Sequence, residues 1–393
     1  MTAIYSVLHM LVDGMCALAM FGRFLSRGNG HLYILLYNFC AFALQMPLGV
    51  ALDALCGRGK KRSGDFPFLF AAAGVLCTVV GAFTHPVVLG IGNALFHVGG
   101  GVGTIWEDEE RNWQGRGLGI FVAPGALGLY LGTLSGKDGS WNLWLPGIGP
   151  LMLMLCALAL YRLKGRDGRN RNHFKTIDNL REGNARKGSR QIDVAGKQAA
   201  KGVLTVAVCC MAVVILRSYV GMAVAFPWKT GILAGTLAVL AVVGGKITGG
   251  FAAARYGFLK TTVISLGLAG ICYLLSSFTL TGLAALFLFN MTMPITLYWM
   301  VRSMPEMPGF AFGFLTFALF LGFLPAYFGV FPAGGGEVTG CAGSMISMLV
   351  LAAGYLSAGI RLRDGSLRAG NNSGKSAAGM RMAAADSRKA RED

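Results

Sequence analysis

Twelve apolar stretches run through this sequence, each about 20 residues long and so able, as a helix, to cross a hydrocarbon core roughly 30 Å thick. They cover 4–24, 31–55, 66–83, 86–107, 115–135, 141–163, 202–226, 229–254, 259–278, 282–303, 308–331 and 341–362. Lipid offers no partner to a backbone N–H or C=O, so each crossing must satisfy its own hydrogen bonds. Repeated runs of this length therefore predict an all-α integral membrane protein with twelve transmembrane helices. Composition agrees, since 54% of the 393 residues are hydrophobic and only 13% are charged, unlike a soluble domain.

The spans divide six and six around segment 164–201, whose Gly, Asn, Arg and Lys content cannot build a core. The expected organisation is a six-helix bundle at 1–163, a basic cytoplasmic linker at 164–201, a second six-helix bundle at 202–362 and a disordered tail at 363–393. The formal charge of +17 lies mostly in that linker, in the tail, and in Arg58, Lys60, Lys61 and Arg62. Arg111, Arg116, Arg255, Lys260 and Arg302 fall on the same side, whereas the opposite loops carry little beyond Arg23, Arg27, Lys137 and Lys229. This asymmetry reads as topology and places both termini in the cytoplasm, with the plasma (inner) membrane as the expected location. Nucleic acid is excluded as a partner, because no basic segment is interleaved with aromatics on a foldable scaffold. The nine cysteines show no metal-ligand spacing and no secreted disulfide framework. The first residues, Met1 to Ser6, lack a basic segment, so the first span reads as a retained helix and not as a signal peptide.

One segment occurs twice. Gln45-Met-Pro-Leu-Gly49-Val-Ala-Leu-Asp53-Ala-Leu-Cys-Gly57-Arg58 returns as Lys246-Ile-Thr-Gly-Gly250-Phe-Ala-Ala-Ala254-Arg255-Tyr-Gly257. Gly115, Gly119 and Gly128 of the fifth span likewise return at the same spacings as Gly309, Gly313 and Gly322 of the eleventh. Two matched sets in the same order point to a chain duplicated as 6+6 halves of parallel topology, the architecture of a transporter. The glycines also read as close helix packing.

The first copy, Gly49-x-x-x-Asp53 with Gly57-Arg58, resembles the signature loop between the second and third helices of major facilitator superfamily transporters, and the second copy resembles its C-terminal mirror. The resemblance implies that fold and a cytoplasmic gate motif at Gly49, Asp53, Gly57, Arg58, Gly250, Arg255 and Gly257, with Ala254 standing where an acid is usual. It also implies cytoplasmic ion pairs within the set of Asp53, Arg58 and Arg111 or Arg116, and a central cavity lined by the first, fourth, seventh and tenth helices. Leu8-His9-Met-Leu-Val-Asp13 and Asn93-Ala-Leu-Phe96-His97 resemble the fosmidomycin-resistance-like drug-efflux branch. Gly119-x-x-x-Ala123-Pro124-x-x-x-Gly128 is similar to the Gly-Pro motif of antiporters.

An ionisable group near the bilayer midplane calls for a cavity, a partner or a function. His9 and Asp13, four apart, share one face of the first span, and His97 is central in the fourth. These three are the proton-coupling candidates, because histidine titrates near neutrality. A static ion pair between Asp13 and Arg217 is the competing reading. Arg217, which keeps its charge, suits an anion such as a carboxylate or phosphonate. Lys246 is a further substrate candidate, or a side chain snorkelling to the interface. Asn93, with Asn290, Thr296 and Trp299 around Pro294, completes the substrate set; Trp299 also reads as an interface anchor. Gly99, Gly100, Gly101 and Gly103 read either as a hinge beside His97 or as a packing face.

The expectation is a proton-coupled secondary transporter working by alternating access, with export of a small organic, in particular anionic, compound or drug favoured over symport uptake. A transport-inactive membrane sensor or scaffold is the reading from another class. No nucleophile–base pair, metal set or phosphate-binding Gly-x-x-x-x-Gly-Lys-Ser/Thr element accompanies the spans, so no enzyme activity, metal or cofactor is expected. The expected partners are a small-molecule substrate, protons and the lipid bilayer, and the expected state is a monomer.

Overall fold

The computed structural model describes residues 1–26, 28–57, 65–170, 192–331 and 335–358. Arg58, most of the 164–201 linker and the whole 363–393 tail lie outside these residues. Twelve helices form among the described residues: α1 Thr2–Phe24, α2 Gly30–Cys56, α3 Asp65–Phe83, α4 Pro86–Glu110, α5 Arg116–Lys137, α6 Trp141–Asn170, α7 Ile192–Ala223, α8 Gly231–Tyr256, α9 Phe258–Leu274, α10 Thr279–Ser303, α11 Pro308–Tyr327 and α12 Gly335–Ser357. Eleven are long and apolar enough to cross a membrane, and α9, with 17 residues, is the short one. π-Turns at Met20–Phe24 and Phe39–Ala43 end α1 and interrupt α2. Helices α6 and α7 run past the expected edges of the linker, to Asn170 and back to Ile192.

Apolar side chains lie outside as well as in the apolar core, and polar groups lie within it. Leu69, Leu76, Val208, Ile264 and Leu349 face outward, while His9, Gln45, Asn93, His97, Arg217 and Thr296 are buried. A lipid-facing surface has no drive to hide leucine, so packing inside the bundle rests on close approach of small residues.

The duplicated glycines make those approaches. Within the first half, Gly128 of α5 sits on the carbonyl of Met10 in α1; its counterpart, Gly322 of α11, sits on the carbonyl of Ile215 in α7. Between the halves the pairing is reciprocal. Gly313 meets the carbonyl of Gln45 and Gly119 that of Lys246, the two residues that open the two copies. Gly49 meets the carbonyl of Gly309 and Gly250 that of Gly115. The halves therefore join along α2 with α11 and along α5 with α8, related by a pseudo-twofold axis. A β-carbon at any of these glycines would collide with backbone, which cannot yield as a side-chain tip can.

At the far end of the same helix pairs, Tyr130 Oη donates to the carbonyl of Ile232 at 2.9 Å and Tyr327 Oη to that of His31 at 3.0 Å. The halves thus touch at both ends. The glycine run in α4 is helical throughout. Gly99 packs on Pro67 and Ala71, Gly101 on Phe312 and Gly103 on Tyr5, so the run is a packing face and not a break in the helix.

Candidate functional site

Helix α1 brings His9 and Asp13 one turn apart at about half its length, since a 1.5 Å rise puts Asp13 some 16 Å from the helix start. His97 comes from the middle of α4 and completes a cluster of two buried histidines and a partly buried aspartate. His9 Nε2 lies 3.1 Å from Asp13 Oδ2, and His97 Nε2 lies 3.6 Å from Asp13 Oδ1. The two Nε2 atoms stand 2.8 Å apart. The other ring nitrogens face carbonyl oxygens: His9 Nδ1 lies 2.7 Å from that of Phe121, His97 Nδ1 2.9 Å from that of Asn93.

A carbonyl oxygen only accepts, so each Nδ1 must carry a hydrogen. In two neutral rings both Nε2 atoms would then present lone pairs to one another, which is repulsive at this distance. A single proton between them turns the repulsion into an N–H···N bond, and the Asp13 carboxylate beside it balances the charge. The three groups offer ligand atoms within 4.8 Å of one another. A tetrahedral cation with bonds near 2.0 Å would hold such atoms roughly 3.3 Å apart, so the close nitrogen pair fits a proton better.

The scaffold of this cluster lies partly in Pro124, expected only as part of an antiporter-like motif, and in Gly125, which the sequence motifs left out. Pro124 in α5 has no N–H and crowds the carbonyl one turn back; close to this interruption, the Phe121 and Val122 carbonyls accept from His9 and Lys246. Gly125 follows, and a β-carbon there would lie 2.6 Å from Asp13 Oδ2 and nearer still to His9 Nε2. The signal was present as a glycine directly after an in-helix proline. Asn93, a residue expected to touch substrate, donates its amide to Asp13 Oδ1 at 2.9 Å and approaches Cys16 Sγ at 3.6 Å. Tyr37 of α2 is within reach of Cys16 and Asp13.

In the second half, Arg217 of α7 is 9% exposed, and its Nη1 has no hydrogen-bond partner among the described residues. Asp13 is engaged by His9, His97 and Asn93, so it forms no static pair with Arg217 in this conformer. Lys246 of α8 does not snorkel: its Nζ crosses to the first half and donates to the Val122 carbonyl at 3.3 Å. It lies within electrostatic reach of Arg217, Asp13 and His97. The remaining candidates sit apart from this group. Asn290 bonds back to the Leu286 carbonyl and Thr296 to those of Thr292 and Met293. Trp299, 3% exposed, packs on Tyr355 in a small apolar cavity with Ile295 and Leu351, inside the second bundle.

At the end carrying the duplicated motif, both oxygens of Asp53 accept from backbone amides of α11, Gly309 N at 2.9 Å and Phe310 N at 2.7 Å. A carboxylate on two free amides of a helix N-terminus is a charge-assisted cap, so Asp53 meets a helix end where a side-chain ion pair was expected. Arg111 instead bonds Glu107 at 3.0 Å, and Arg116 lies over Phe251. Ala254, the twin of Asp53, has no such oxygen. The N-terminus of α5 is capped from its own half, where Asp108 accepts from Gly115 N and Gly117 N at 2.7 Å each. Gly57 and Gly257 end α2 and α8 at φ 69° and 91°, and Arg255 lies over Tyr256.

No protein-family model and no curated protein sequence matches this chain. Solved structures do resemble it. The human organic anion transporter MFSD10 (TETRAN) aligns at 13% identity and TM-score 0.56, over 89% of this chain and 99% of that one. The major facilitator superfamily proton:xylose symporter XylE aligns at 12% and 0.55, over 89% and 94%. The E. coli fucose:proton symporter FucP aligns at 11% and 0.50, over 90% and 97%. At such identities the likeness is one of architecture, and with the reciprocal helix pairs described above it shows that this chain has the major facilitator fold.

Proposed function

We propose that the protein is a secondary active transporter, working by alternating access and driven by protons loaded at His9, Asp13 and His97. The observation that carries the reading is the 2.8 Å approach of two imidazole nitrogens that cannot both be unprotonated. With its proton the cluster is neutral; without it, the cluster is an anion with two opposed lone pairs, and α1 and α4 must shift relative to one another. Occupancy by a proton is thereby tied to conformation, which is what coupling requires.

Alternating access would rock the bundles 1–163 and 202–362 about the α2–α11 and α5–α8 seams, with 164–201 as tether and both termini in the cytoplasm. At one end Asp53 and the paired glycines hold the seam; at the other, Tyr130 and Tyr327 do. The cargo is a small organic compound and the working unit a monomer in the plasma membrane. The antiporter-like segment from Gly119 to Gly128 favours export, the drug-efflux direction; the position of Lys246, near both the proton cluster and Arg217, favours symport.

The test is reconstitution in liposomes with an imposed pH gradient, following internal pH while candidate anions and drugs are screened. Gradient-driven flux that loses its dependence on the gradient in Asp13→Asn is expected. Wild-type flux that ignores the gradient would contradict the reading.

A further inference from the structure

We infer that Arg217 and Lys246 hold the acidic group of an organic anion, and that protonating the His9–His97 bridge frees Lys246 for it, so that proton and anion are carried together. The second clause rests on the proton-coupled reading; the first does not.

Neither Arg217, 9% exposed, nor the partly buried Lys246 makes an ion pair with an acid among the described residues. Arg217 has a guanidinium nitrogen with no partner among the described residues, and Cys210 and Lys246 are titratable groups within its reach. A planar guanidinium accepts a carboxylate or phosphonate through two parallel N–H bonds, and an ammonium adds a point charge with rotatable donors. Leaving a buried charge without a counter-ion is strongly unfavourable, so this end of the interface is built for an anion that arrives from outside the chain.

Charge counting fixes the sign of the coupling. With the bridge loaded, Asp13 is neutralised by its own cluster, and Arg217 and Lys246 both face the anion. Once the bridge is emptied, Asp13 is an uncompensated anion within reach of Lys246 and competes with the substrate for that ammonium. The other groups facing the cluster are Cys16 on α1 and Tyr37 on α2; neither is a cation that could replace Lys246. Acid therefore strengthens anion binding, as symport needs, whereas exchange needs acid to weaken it.

The experiment uses the full chain in nanodiscs, with benzoate, salicylate and phenylphosphonate as probes and benzamide as the neutral control. Binding is read by thermal shift and calorimetry at about pH 5.5 and 7.5, bracketing ordinary histidine titration. At least one anion is expected to bind, more tightly at the lower pH, with benzamide inert. Arg217→Gln abolishes binding at both pH values. Lys246→Gln weakens it roughly tenfold, about 1.4 kcal/mol, and removes the pH dependence, and Asp13→Asn binds at high pH as the wild type does at low pH. The anion site is overturned if none of the anions binds better than benzamide, or if Arg217→Gln binds as wild type. Tighter binding at the higher pH overturns the symport sign. Arg217-dependent binding without pH dependence would overturn the coupling while leaving the anion site standing. Gradient-driven flux indifferent to Arg217→Gln would do the reverse.

Discussion

His9 and His97 meet nitrogen to nitrogen at 2.8 Å, each pinned from behind by a backbone carbonyl. The carbonyls fix both tautomers, so the gap between the rings is a site for one proton. Asp13, at 3.1 Å from one ring and 3.6 Å from the other, supplies the balancing charge.

Gly125 and Gly128 lie one turn apart on α5 but guard different things. A β-carbon at Gly125 meets His9 and Asp13 side-chain atoms, whereas one at Gly128 meets the Met10 backbone. Gly125→Ala is expected to abolish proton coupling with little loss of thermal stability. Gly128→Ala forces α1 and α5 apart at a cost of about 1–3 kcal/mol. Unfolding temperatures together with gradient-driven flux check the contrast; equal losses of stability would contradict it.

Asp53 reaches across the halves at the duplicated motif, to the amides of Gly309 and Phe310. Asp53→Asn keeps the shape but removes the charge and one acceptor oxygen. Hydrogen bonds to a charged group are worth about 1.5–3 kcal/mol, so amide exchange at Gly309 and Phe310 should accelerate at least tenfold. Exchange at Gly115 and Gly117, held by Asp108, should stay as it is. Unchanged exchange at Gly309 would remove Asp53 as a latch.

Trp299 packs on Tyr355 away from the cations. Trp299→Ala should lower stability by about 3–5 kcal/mol, the usual cost of emptying a buried aromatic site. Apparent substrate affinity of the folded fraction should hold. A selective loss of affinity at constant unfolding temperature would return Trp299 to the binding site.

The architecture was legible because bilayer physics leaves few options: twelve runs of sufficient length, and glycines repeated at fixed spacing. The pairs Gly49 with Gly309 and Gly250 with Gly115 explain why those glycines recur, since each half supplies what the other needs. His9, Asp13 and His97, the residues of the proposed proton cluster, were legible as intramembrane ionisable groups. Their mutual geometry was not, because a spacing of four residues places His9 over Asp13 but says nothing of α4. The surroundings of Asn93 and Trp299 were hidden for the same reason. An amide turns towards whichever partner the fold provides, and an indole beside Pro294 reads alike whether it faces a cavity or a neighbouring helix. The Asp53 cap was hidden too, because its partners are backbone amides, which carry no sequence signal.

Asp13→Asn leaves the histidine bridge without a counter-charge, so transport in that variant should lose its dependence on external pH. Lys246→Gln should retain proton binding but uncouple it from substrate. Measuring proton uptake and substrate uptake in the same vesicles separates the two; loss of proton uptake in Lys246→Gln would contradict their assignment to different steps.

The proton between His9 and His97 can be observed without knowing the substrate. Solid-state 15N spectroscopy of histidine-labelled protein in lipid, with His9→Gln and His97→Gln for assignment, reads both rings directly. The account predicts a through-bond coupling between the two Nε2 nuclei that is present in acid, disappears together with one proton as pH rises, and is absent in both variants. Two neutral rings with uncoupled Nε2 signals across the whole titration would contradict it.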